Sequence, residues 1–291
     1  MANKFFQRFK SSCARTFWGS LWPPGHYYSP IPSRKEILQK EEEIFKIERI
    51  EGVDLNEQGQ LNLLKECFLY YKELPFTEER SEKFRYYYNN AFYSYSDAIF
   101  LYSMMRHYKP NLLVEIGSGF SSAMMLDTNE YFLKNNCQFF FIEPYPKRLL
   151  SIVKKKDLEQ HKILRNCVQE VPLETFSQLE NNDILFIDGS HVSKTGSDVN
   201  YILFKILPLL CSGCLIHFHD IFYPFEYPKK WVLEGRIWNE IYILRAFLEF
   251  NQQFKIVLFN SYLENYCEEW LKTNMPLCLK NRGGSIWLQK I

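Results

Sequence analysis

Leu112-Leu-Val-Glu-Ile-Gly-Ser-Gly-Phe-Ser-Ser-Ala123 is the stretch that decides the fold of this chain. Its apolar first half is typical of a buried strand, Gly117 and Gly119 indicate a tight turn, and the residues after them favour a helix. A strand that enters a helix through such a turn leaves backbone N–H groups free to bind a ligand. We expect the carboxylate of Glu115, just before the turn, to face it and attract the cationic part of a small ligand.

The spacing of the glycines limits the type of ligand. A dinucleotide fingerprint has glycine at its first, third and sixth positions, whereas Gly117 and Gly119 are followed by Ser122. This departure weakens the prediction of a nicotinamide dinucleotide. Glu143 ends the next apolar run, Gln138-Phe-Phe-Phe-Ile-Glu143, and a carboxylate there can accept hydrogen bonds from both hydroxyls of a ribose. The turn and the acid together predict an adenosine-type ligand.

Apolar runs and helical patterns alternate along most of the chain. Alternation of this kind predicts a parallel sheet with helices on both faces. The predicted strands are 112–116, 138–142, 162–165, 183–187, 213–218, 254–259 and 285–288, and the predicted helices are Arg34 to Arg49, Leu61 to Leu74, Asp97 to Tyr108 with Ser96 as its N-cap, 120–132, 146–156, 172–180, 197–209 and 237–249.

From about residue 86 to residue 291, the chain resembles the class I S-adenosylmethionine-dependent methyltransferases. Glu115-Ile-Gly-Ser-Gly119 is similar to their first motif, Glu143 to their ribose-binding acid, and Asp183-Ile-Leu-Phe-Ile-Asp188 to their fourth strand with its terminal acid. The resemblance implies an α/β, Rossmann-like, doubly wound and mostly parallel seven-stranded sheet with an antiparallel final strand. The helices predicted before this region form an N-terminal helical cap. The resemblance also implies that S-adenosyl-L-methionine is bound by a set of residues after the strands: Glu115, Gly117, Ser118, Gly119, Glu143, Gln169 and Asp188.

The chain is predicted to have three segments. Residues 1–33 form a basic and aromatic N-terminal arm that ends in a proline-rich linker, residues 34–95 form the helical cap region, and residues 96–291 form the methyltransferase domain. The arm has four basic residues among its aromatic ones and no acid before Glu36. Two interpretations stay open: peripheral contact with a membrane surface through residues 1–22, or packing of the aromatic rings on the main domain.

Acids and histidines follow the fourth and fifth predicted strands, where ligands bind in open parallel sheets. In one interpretation Asp188, His219 and Asp220 hold a divalent cation, magnesium or manganese, that orients and acidifies an acceptor hydroxyl. The histidine of this set favours manganese or another transition ion, because magnesium prefers oxygen ligands.

In a second interpretation no metal is bound, and His191 or His219 is the general base, since an imidazole titrates near neutral pH. A third interpretation gives the histidines a purely structural role. The candidate catalytic residues are therefore Asp188, His191 and His219.

Composition excludes some classes of partner. The 35 Lys and Arg residues balance 34 Asp and Glu residues, so no overall field recruits nucleic acid. The chain has neither a leader pattern nor an apolar run of bilayer-spanning length, so we expect a cytoplasmic enzyme, membrane-peripheral only through its arm.

The predicted reaction is methyl transfer to a small or medium acceptor, at a hydroxyl oxygen of a sugar or natural product, by a chain that can form a homo-oligomer. The alternatives are an NAD(P)-dependent oxidoreductase and a non-catalytic nucleoside-binding module. The oxidoreductase shares the alternating fold and the ribose acid, and the module would keep only the nucleoside pocket.

Overall fold

The computed structural model describes residues 21–291. Most of the N-terminal arm, and with it almost all of the predicted membrane contact through residues 1–22, lies outside the described residues. In the described part of the chain, no helix is both long enough and apolar enough to cross a bilayer. The membrane contact and the homo-oligomer stay predictions.

One seven-stranded sheet with the order β3-β2-β1-β4-β5-β7-β6 organises the described residues. Its strands are β1 (Leu112–Ile116), β2 (Gln138–Ile142), β3 (Lys162–Leu164), β4 (Ile184–Ile187), β5 (Leu215–His219), β6 (Phe254–Phe259) and β7 (Ser285–Lys290). Strands β1 to β5 are parallel to one another, whereas β7 is antiparallel to both β5 and β6. The predicted α/β class, with a mostly parallel seven-stranded sheet that ends in an antiparallel strand, is confirmed.

Helices occupy the connections between the strands and precede the sheet. They are α1 (Arg34–Gln39), α2 (Glu41–Ile44), α3 (Glu57–Tyr71), α4 (Tyr95–Tyr108), α5 (Phe120–Phe132), α6 (Lys147–Leu150), α7 (Lys155–Gln160), α8 (Glu174–Ser177), α9 (Asp198–Tyr201), α10 (Lys229–Glu234), α11 (Glu240–Leu248), α12 (Asn260–Tyr266) and α13 (Glu268–Asn274). After α9 the chain continues as a π-helical turn, Ile202–Ile206, and a 3₁₀ turn, Leu207–Leu209.

The predicted helix from Arg34 to Arg49 is wrong, because the helical geometry is interrupted at Lys40. Only Ile37 is buried in α1, and α2 buries no residue. A helix without a continuous buried face gains little from packing, and packing supplies most helical stability in proteins. The predicted helix over 146–156 is likewise replaced by two short helices, α6 and α7.

Ser96 is not the N-cap of the helix before β1. That helix, α4, begins at Tyr95, and Ser96 lies inside it. The Ser96 hydroxyl donates to Glu264 Oε1 at 2.5 Å. The sequence signal for a cap was misleading because the polar side chain is used in a tertiary contact with α12.

The chain separates into two compact units. The smaller unit contains residues 21–48 and Glu226–Ile237, and within it Arg34 Nη1 donates to the carbonyl oxygen of Leu233 at 2.7 Å. The larger unit contains Arg49–Phe225 and Trp238–Ile291, and therefore the whole sheet. Residues 49–95 of the predicted cap region lie in this larger unit.

The core of the larger unit is formed around the central strands. All residues of β1, β4 and β5 are buried, as expected for parallel strands that are covered on both faces. Large aromatic side chains fill the space between sheet and helices: Phe139, Phe141, Phe186, Phe218 and Trp287 are among the largest fully buried ones. The sheet is thus a rigid support for the loops at its ends.

Arg85 is a buried cation in the segment between α3 and α4. Its guanidinium Nη1 lies 2.7 Å from Asp127 Oδ1 and 2.8 Å from Glu130 Oε2, and its Nη2 lies 2.7 Å from Asp157 Oδ1. Asp127 Oδ2 also accepts from the backbone N–H groups of Arg85 and Tyr86. Because Asp127 and Glu130 lie on α5 and Asp157 lies on α7, this cluster fixes the segment against both helices.

Replacing Arg85 by Met should lower the free energy of unfolding by about 3–5 kcal/mol, because buried carboxylates lose their counter-charge. Urea denaturation followed by circular dichroism measures this loss. Lys272→Met is the control, since Lys272 forms only exposed ion pairs with Glu268 and Glu269. Equal losses in the two variants would contradict a structural role for the Arg85 cluster.

The turn after β1 is pressed against the end of β4. Gly117 has a φ of +81°, and a Cβ atom at this position would overlap the carbonyl oxygen of Asp188. Backbone hydrogen bonds join the same region, from Asp188 N to Ile116 O at 2.8 Å and from Gly117 N to Ile142 O at 3.0 Å. Only glycine combines this backbone conformation with this close approach.

Gly117→Ala and Gly196→Ala together separate steric overlap from backbone strain. Gly196 has a φ of +74°, but a Cβ atom there would have no neighbour within 4 Å. We expect Gly196→Ala to cost roughly 1–2 kcal/mol of stability through backbone conformation alone, and Gly117→Ala to cost clearly more. Thermal unfolding of both variants measures the difference, and similar losses would show that the Asp188 carbonyl moves aside easily.

Candidate functional site

Glu115 supports the glycine turn instead of facing it. The side chain is fully buried in β1. Its Oε1 accepts from Ser121 Oγ at 2.6 Å, and its Oε2 accepts from Ser122 Oγ. Burial raises the pKa of Glu115 to about 8, against the opposing effect of the serine hydrogen bonds. The predicted orientation toward a cationic ligand is therefore replaced by an anchor between β1 and the first turn of α5.

Glu143 presents its carboxylate at the end of β2, beside the glycine turn. Its Oε2 accepts from the backbone N–H of Ser118 at 3.2 Å, and its Oε1 accepts from the backbone N–H of Tyr145 at 2.8 Å. Each carboxylate oxygen has a second lone pair. The half-buried group is thus oriented by backbone and can still accept hydrogen bonds from a ligand.

Gln169 lies after β3 and makes a different contact. Its Nε2 donates to the carbonyl oxygen of Gly196 at 2.8 Å, which ties the turn after β3 to the loop before α9.

Arg148 is a neighbour of the glycine turn that the sequence did not indicate, since its side chain lies close to Gly119. The Arg148 guanidinium lies 3.6 Å from the ring centroid of Phe92, which stacks on Phe120 at the start of α5.

Asp188, His191 and Asp220 converge at the ends of β4 and β5. One ligand atom from each residue lies within 4.8 Å of the other two. His191 Nε2 lies 3.4 Å from Asp188 Oδ1 and 3.5 Å from Asp220 Oδ2. His191 and Asp220 both have a φ of +57°, so left-handed turns bring them back toward Asp188.

The predicted metal set of Asp188, His219 and Asp220 thus differs from this group by one histidine. His219 Nε2 lies 3.6 Å from the other oxygen of Asp220, Oδ1. His219 is the last residue of β5, so its position is set by the strand, whereas His191 lies on a loop that can turn back. Asp220 therefore has a different histidine beside each of its carboxylate oxygens.

Glu240 completes the group, although it was not among the residues predicted from the sequence. It is the first residue of α11 and is buried, and its Oε2 lies 2.9 Å from His191 Nδ1. The backbone N–H groups of Asn239 and Glu240 also donate to the His191 carbonyl oxygen, at 3.0 and 3.1 Å. Glu240 is far from His191 in the sequence, and its one local signal is an acid at the start of a mostly apolar helix.

Three carboxylates therefore surround one imidazole. Burial lowers the pKa of His191, but the hydrogen bonds with Asp188 and Glu240 outweigh it and raise that pKa well above its usual value. Burial raises the pKa of Asp220 despite the nearby histidines. Within residues 21–291, no Lys or Arg forms an ion pair with Asp188, Asp220 or Glu240. The negative charge of the group favours a bound cation.

Asp97 organises a buried polar network next to His219, and this network was also missed. Asp97 Oδ1 accepts from Asn260 Nδ2 at 2.9 Å and from Ser285 Oγ at 2.7 Å, and its Oδ2 accepts from the backbone N–H of Gly284 at 3.2 Å. Ser285 pairs with His219 across β7 and β5. The network thus fixes the start of β7 beside the site.

A match to a known family covers the glycine turn. Residues 114–221 match a family model described as a methyltransferase domain. A relative from Archaeoglobus fulgidus, described as an uncharacterized protein, is 39% identical over 173 residues, which are 57% of this chain and 77% of the relative.

Solved structures with similar chains include methyltransferases. The Podospora anserina methyltransferase PaMTH1 in its SAH-bound form is 14% identical, with 90% of this chain and 99% of that chain covered and a TM-score of 0.43. The O-methyltransferase TomG from Streptomyces achromogenes in complex with SAM is 12% identical, with 88% and 95% covered and a TM-score of 0.43. The match over residues 114–221 and the order of the strands confirm the resemblance of this chain to the class I S-adenosylmethionine-dependent methyltransferases.

Proposed function

We propose that this methyltransferase transfers a methyl group to a hydroxyl oxygen of a small or medium acceptor, with a divalent cation held by Asp188, His191 and Asp220. The observation that carries the proposal is the convergence of these three side chains beside the glycine turn. Asp188 joins the two parts, because its backbone packs against Gly117 while its carboxylate lies in the acidic group.

The donor site is assigned to the glycine turn and the acid after β2. The fit rests on two features of the site. Glu143 has lone pairs free for the ribose hydroxyls, and Ser118 Oγ is buried without a hydrogen-bond partner among the described residues. S-adenosyl-L-methionine supplies an electrophilic methyl group on a sulfonium. In this assignment Gly117, Ser118, Gly119 and Glu143 contact the donor, while Glu115 holds the turn in place.

Methyl transfer is an in-line displacement. The acceptor oxygen forms a bond to the methyl carbon, the carbon–sulfur bond breaks with its electron pair left on sulfur, and the hydroxyl proton passes to a base. The protein has mainly to position the two reactants. We assign the proton to His219, whose Nδ1 is buried and has no hydrogen-bond partner among the described residues. Burial lowers the pKa of His219, but the nearby Asp220 and Asp188 outweigh it and raise that pKa. A cation bound by these two aspartates would oppose the rise and favour a neutral imidazole that can accept the proton.

Two carboxylates and an imidazole form a donor set that suits a divalent cation. Such a cation would orient the acceptor hydroxyl and lower its pKa. A metal-free mechanism with His191 as general base fits less well. Without a cation, Asp188, Asp220 and Glu240 favour a protonated imidazole at His191, and a protonated imidazole cannot accept the hydroxyl proton.

A ring-shaped acceptor suits the surroundings of the group. The half-buried Trp238 ring lies 4.5 Å from the His191 ring at an angle of 41°. Aromatic faces give flat apolar contacts to sugar or natural-product rings. The net charge of +1 gives no strong overall electrostatic attraction for a polyanionic acceptor. A turnover assay distinguishes this proposal from a non-catalytic binding module, which would bind the donor without methylating any acceptor.

Glu143→Ala should weaken binding of S-adenosylhomocysteine at least about tenfold, because each charge-assisted hydrogen bond to the ribose contributes roughly 1.5–3 kcal/mol. Isothermal titration calorimetry measures the dissociation constant. Glu159→Ala is the control, since Glu159 is an exposed acid on α7. If both variants bound the nucleoside as the wild type does, the ribose would have to lie elsewhere.

Removal of divalent ions with EDTA should abolish methylation, and Mn²⁺ should restore it. Asp220→Asn should reduce kcat/KM by roughly 100-fold or more, because the variant loses a ligand of the cation that lowers the pKa of the acceptor hydroxyl, while the affinity for S-adenosylhomocysteine stays the same. Asp54→Asn, an exposed substitution outside the group, serves as the control. Full activity in EDTA would exclude the cation and support a metal-free base.

A further inference from the structure

We infer that Glu240 fixes His191 as a nitrogen ligand and so makes the cation site prefer a transition ion such as Mn²⁺ over Mg²⁺. This inference rests on the cation site of the proposed function. Glu240 lies on α11. In the contacts described above it touches His191, and it touches neither the donor site nor Asp188 or Asp220. Glu240 acts through His191 and is therefore a positioning residue.

The hydrogen bond between Glu240 and His191 determines which ring nitrogen carries the proton. An ionised carboxylate can only accept hydrogen bonds. With Glu240 Oε2 at 2.9 Å, the proton of a neutral His191 ring lies on Nδ1. The lone pair then lies on Nε2, the nitrogen that is near Asp188 and Asp220. Histidines that bind metals usually donate their other ring N–H to such a partner.

The His191 ring is held rigidly by the segment that contains Glu240. The segment that contains Glu240 also binds the backbone of His191, through the two N–H groups of Asn239 and Glu240. Asn239 Oδ1 accepts from the backbone N–H of Ser193 at 2.6 Å, which holds the chain after His191. Trp238 packs against the imidazole ring. The ring is thus fixed by side-chain, backbone and aromatic contacts from one segment.

The distances between the ligand atoms can be compared with those around a single bound ion. Two ligand atoms that bind one ion at ~2.1 Å and at a right angle lie about 3 Å apart. The distances of 3.4 and 3.5 Å from His191 Nε2 to the two aspartates are close to this value. The three ligand atoms lie within 4.8 Å of one another, so the two carboxylates would have to move closer together for all three atoms to bind the same ion.

The chemical type of the ligands determines which ion the site prefers. Mg²⁺ binds oxygen and retains several waters, whereas first-row transition ions also accept imidazole nitrogen. A site with one fixed nitrogen and two carboxylate oxygens therefore favours the transition ion. If the tautomer or orientation of His191 were lost, the site would offer only oxygen ligands, and this preference would disappear.

The inference is tested by EPR titration of the full chain with Mn²⁺, in the absence of donor and acceptor, with Mg²⁺ as the competitor. In the wild type we expect one tightly bound Mn²⁺ that Mg²⁺ displaces only at a large excess, and pulsed EPR should detect ¹⁴N coupling to the bound ion. Glu240→Gln should weaken Mn²⁺ binding by about 10–100-fold, change Mg²⁺ binding much less and reduce the ¹⁴N signal.

Glu249→Gln is the matched control, because Glu249 lies at the other end of α11 and pairs with Arg245 on the surface. It should bind both ions as the wild type does. Near-UV circular dichroism shows whether Glu240→Gln is folded. Should that variant fail to fold, the wild-type competition and the ¹⁴N coupling still decide the matter.

Equal affinity of the wild type for Mn²⁺ and Mg²⁺, or bound Mn²⁺ without ¹⁴N coupling, would overturn the inference. Calorimetry with S-adenosylhomocysteine separates this failure from that of the proposed function. If the nucleoside binds and Mn²⁺ shows no nitrogen ligand, the methyltransferase assignment stands and the role of Glu240 is wrong. If Mn²⁺ shows the nitrogen ligand and the nucleoside does not bind, the role of Glu240 stands and the donor site is wrong.

Discussion

The close packing of Gly117 against the carbonyl of Asp188 is the constraint on which the site depends. It brings the turn after β1 and the loop after β4 within van der Waals contact, with no space for a side chain between them. The backbone of Asp188 is therefore part of the wall of the glycine turn, while its carboxylate belongs to the acidic group. A donor held on the turn and an acceptor held at the acidic group must then be neighbours, which is what an in-line displacement requires.

Charge is the second organising principle of the site. Two aspartates and a glutamate surround His191 in a partly desolvated place, and burying like charges together is unfavourable unless a counter-charge is present. Arg85 shows how the same chain solves this problem elsewhere, with a guanidinium among three carboxylates. At the ends of β4 and β5 no Lys or Arg of residues 21–291 forms an ion pair with these acids. A protonated His191 supplies a counter-charge there, and a bound divalent ion would take over that role.

The sequence predicted the sheet better than the site. Strands β1, β2 and β6 and helix α5 were predicted with their observed bounds, because continuous apolar runs between turn residues are a strong local signal. The helix from Arg34 failed because its charged pattern has almost no buried face. Ser96 failed as a cap because its hydroxyl is used in a tertiary contact with Glu264.

Ligands bind at the carboxyl ends of parallel strands, and this rule was enough to predict Asp188, His191, His219 and Asp220 as site residues. It could not rank the two histidines, since that depends on left-handed turns at His191 and Asp220. It also could not find Glu240 or Asp97, because both lie on helices and reach the site through tertiary packing. Long-range contacts of this kind leave no local pattern in a single sequence.

The most direct test of the account is a crystal structure of the protein with S-adenosylhomocysteine and Mn²⁺, with anomalous data collected at the manganese edge. The account predicts the ribose hydroxyls on the Glu143 carboxylate and an anomalous peak bounded by Asp188, His191 and Asp220. A nucleoside bound away from the glycine turn, or manganese bound away from these three side chains, would contradict it.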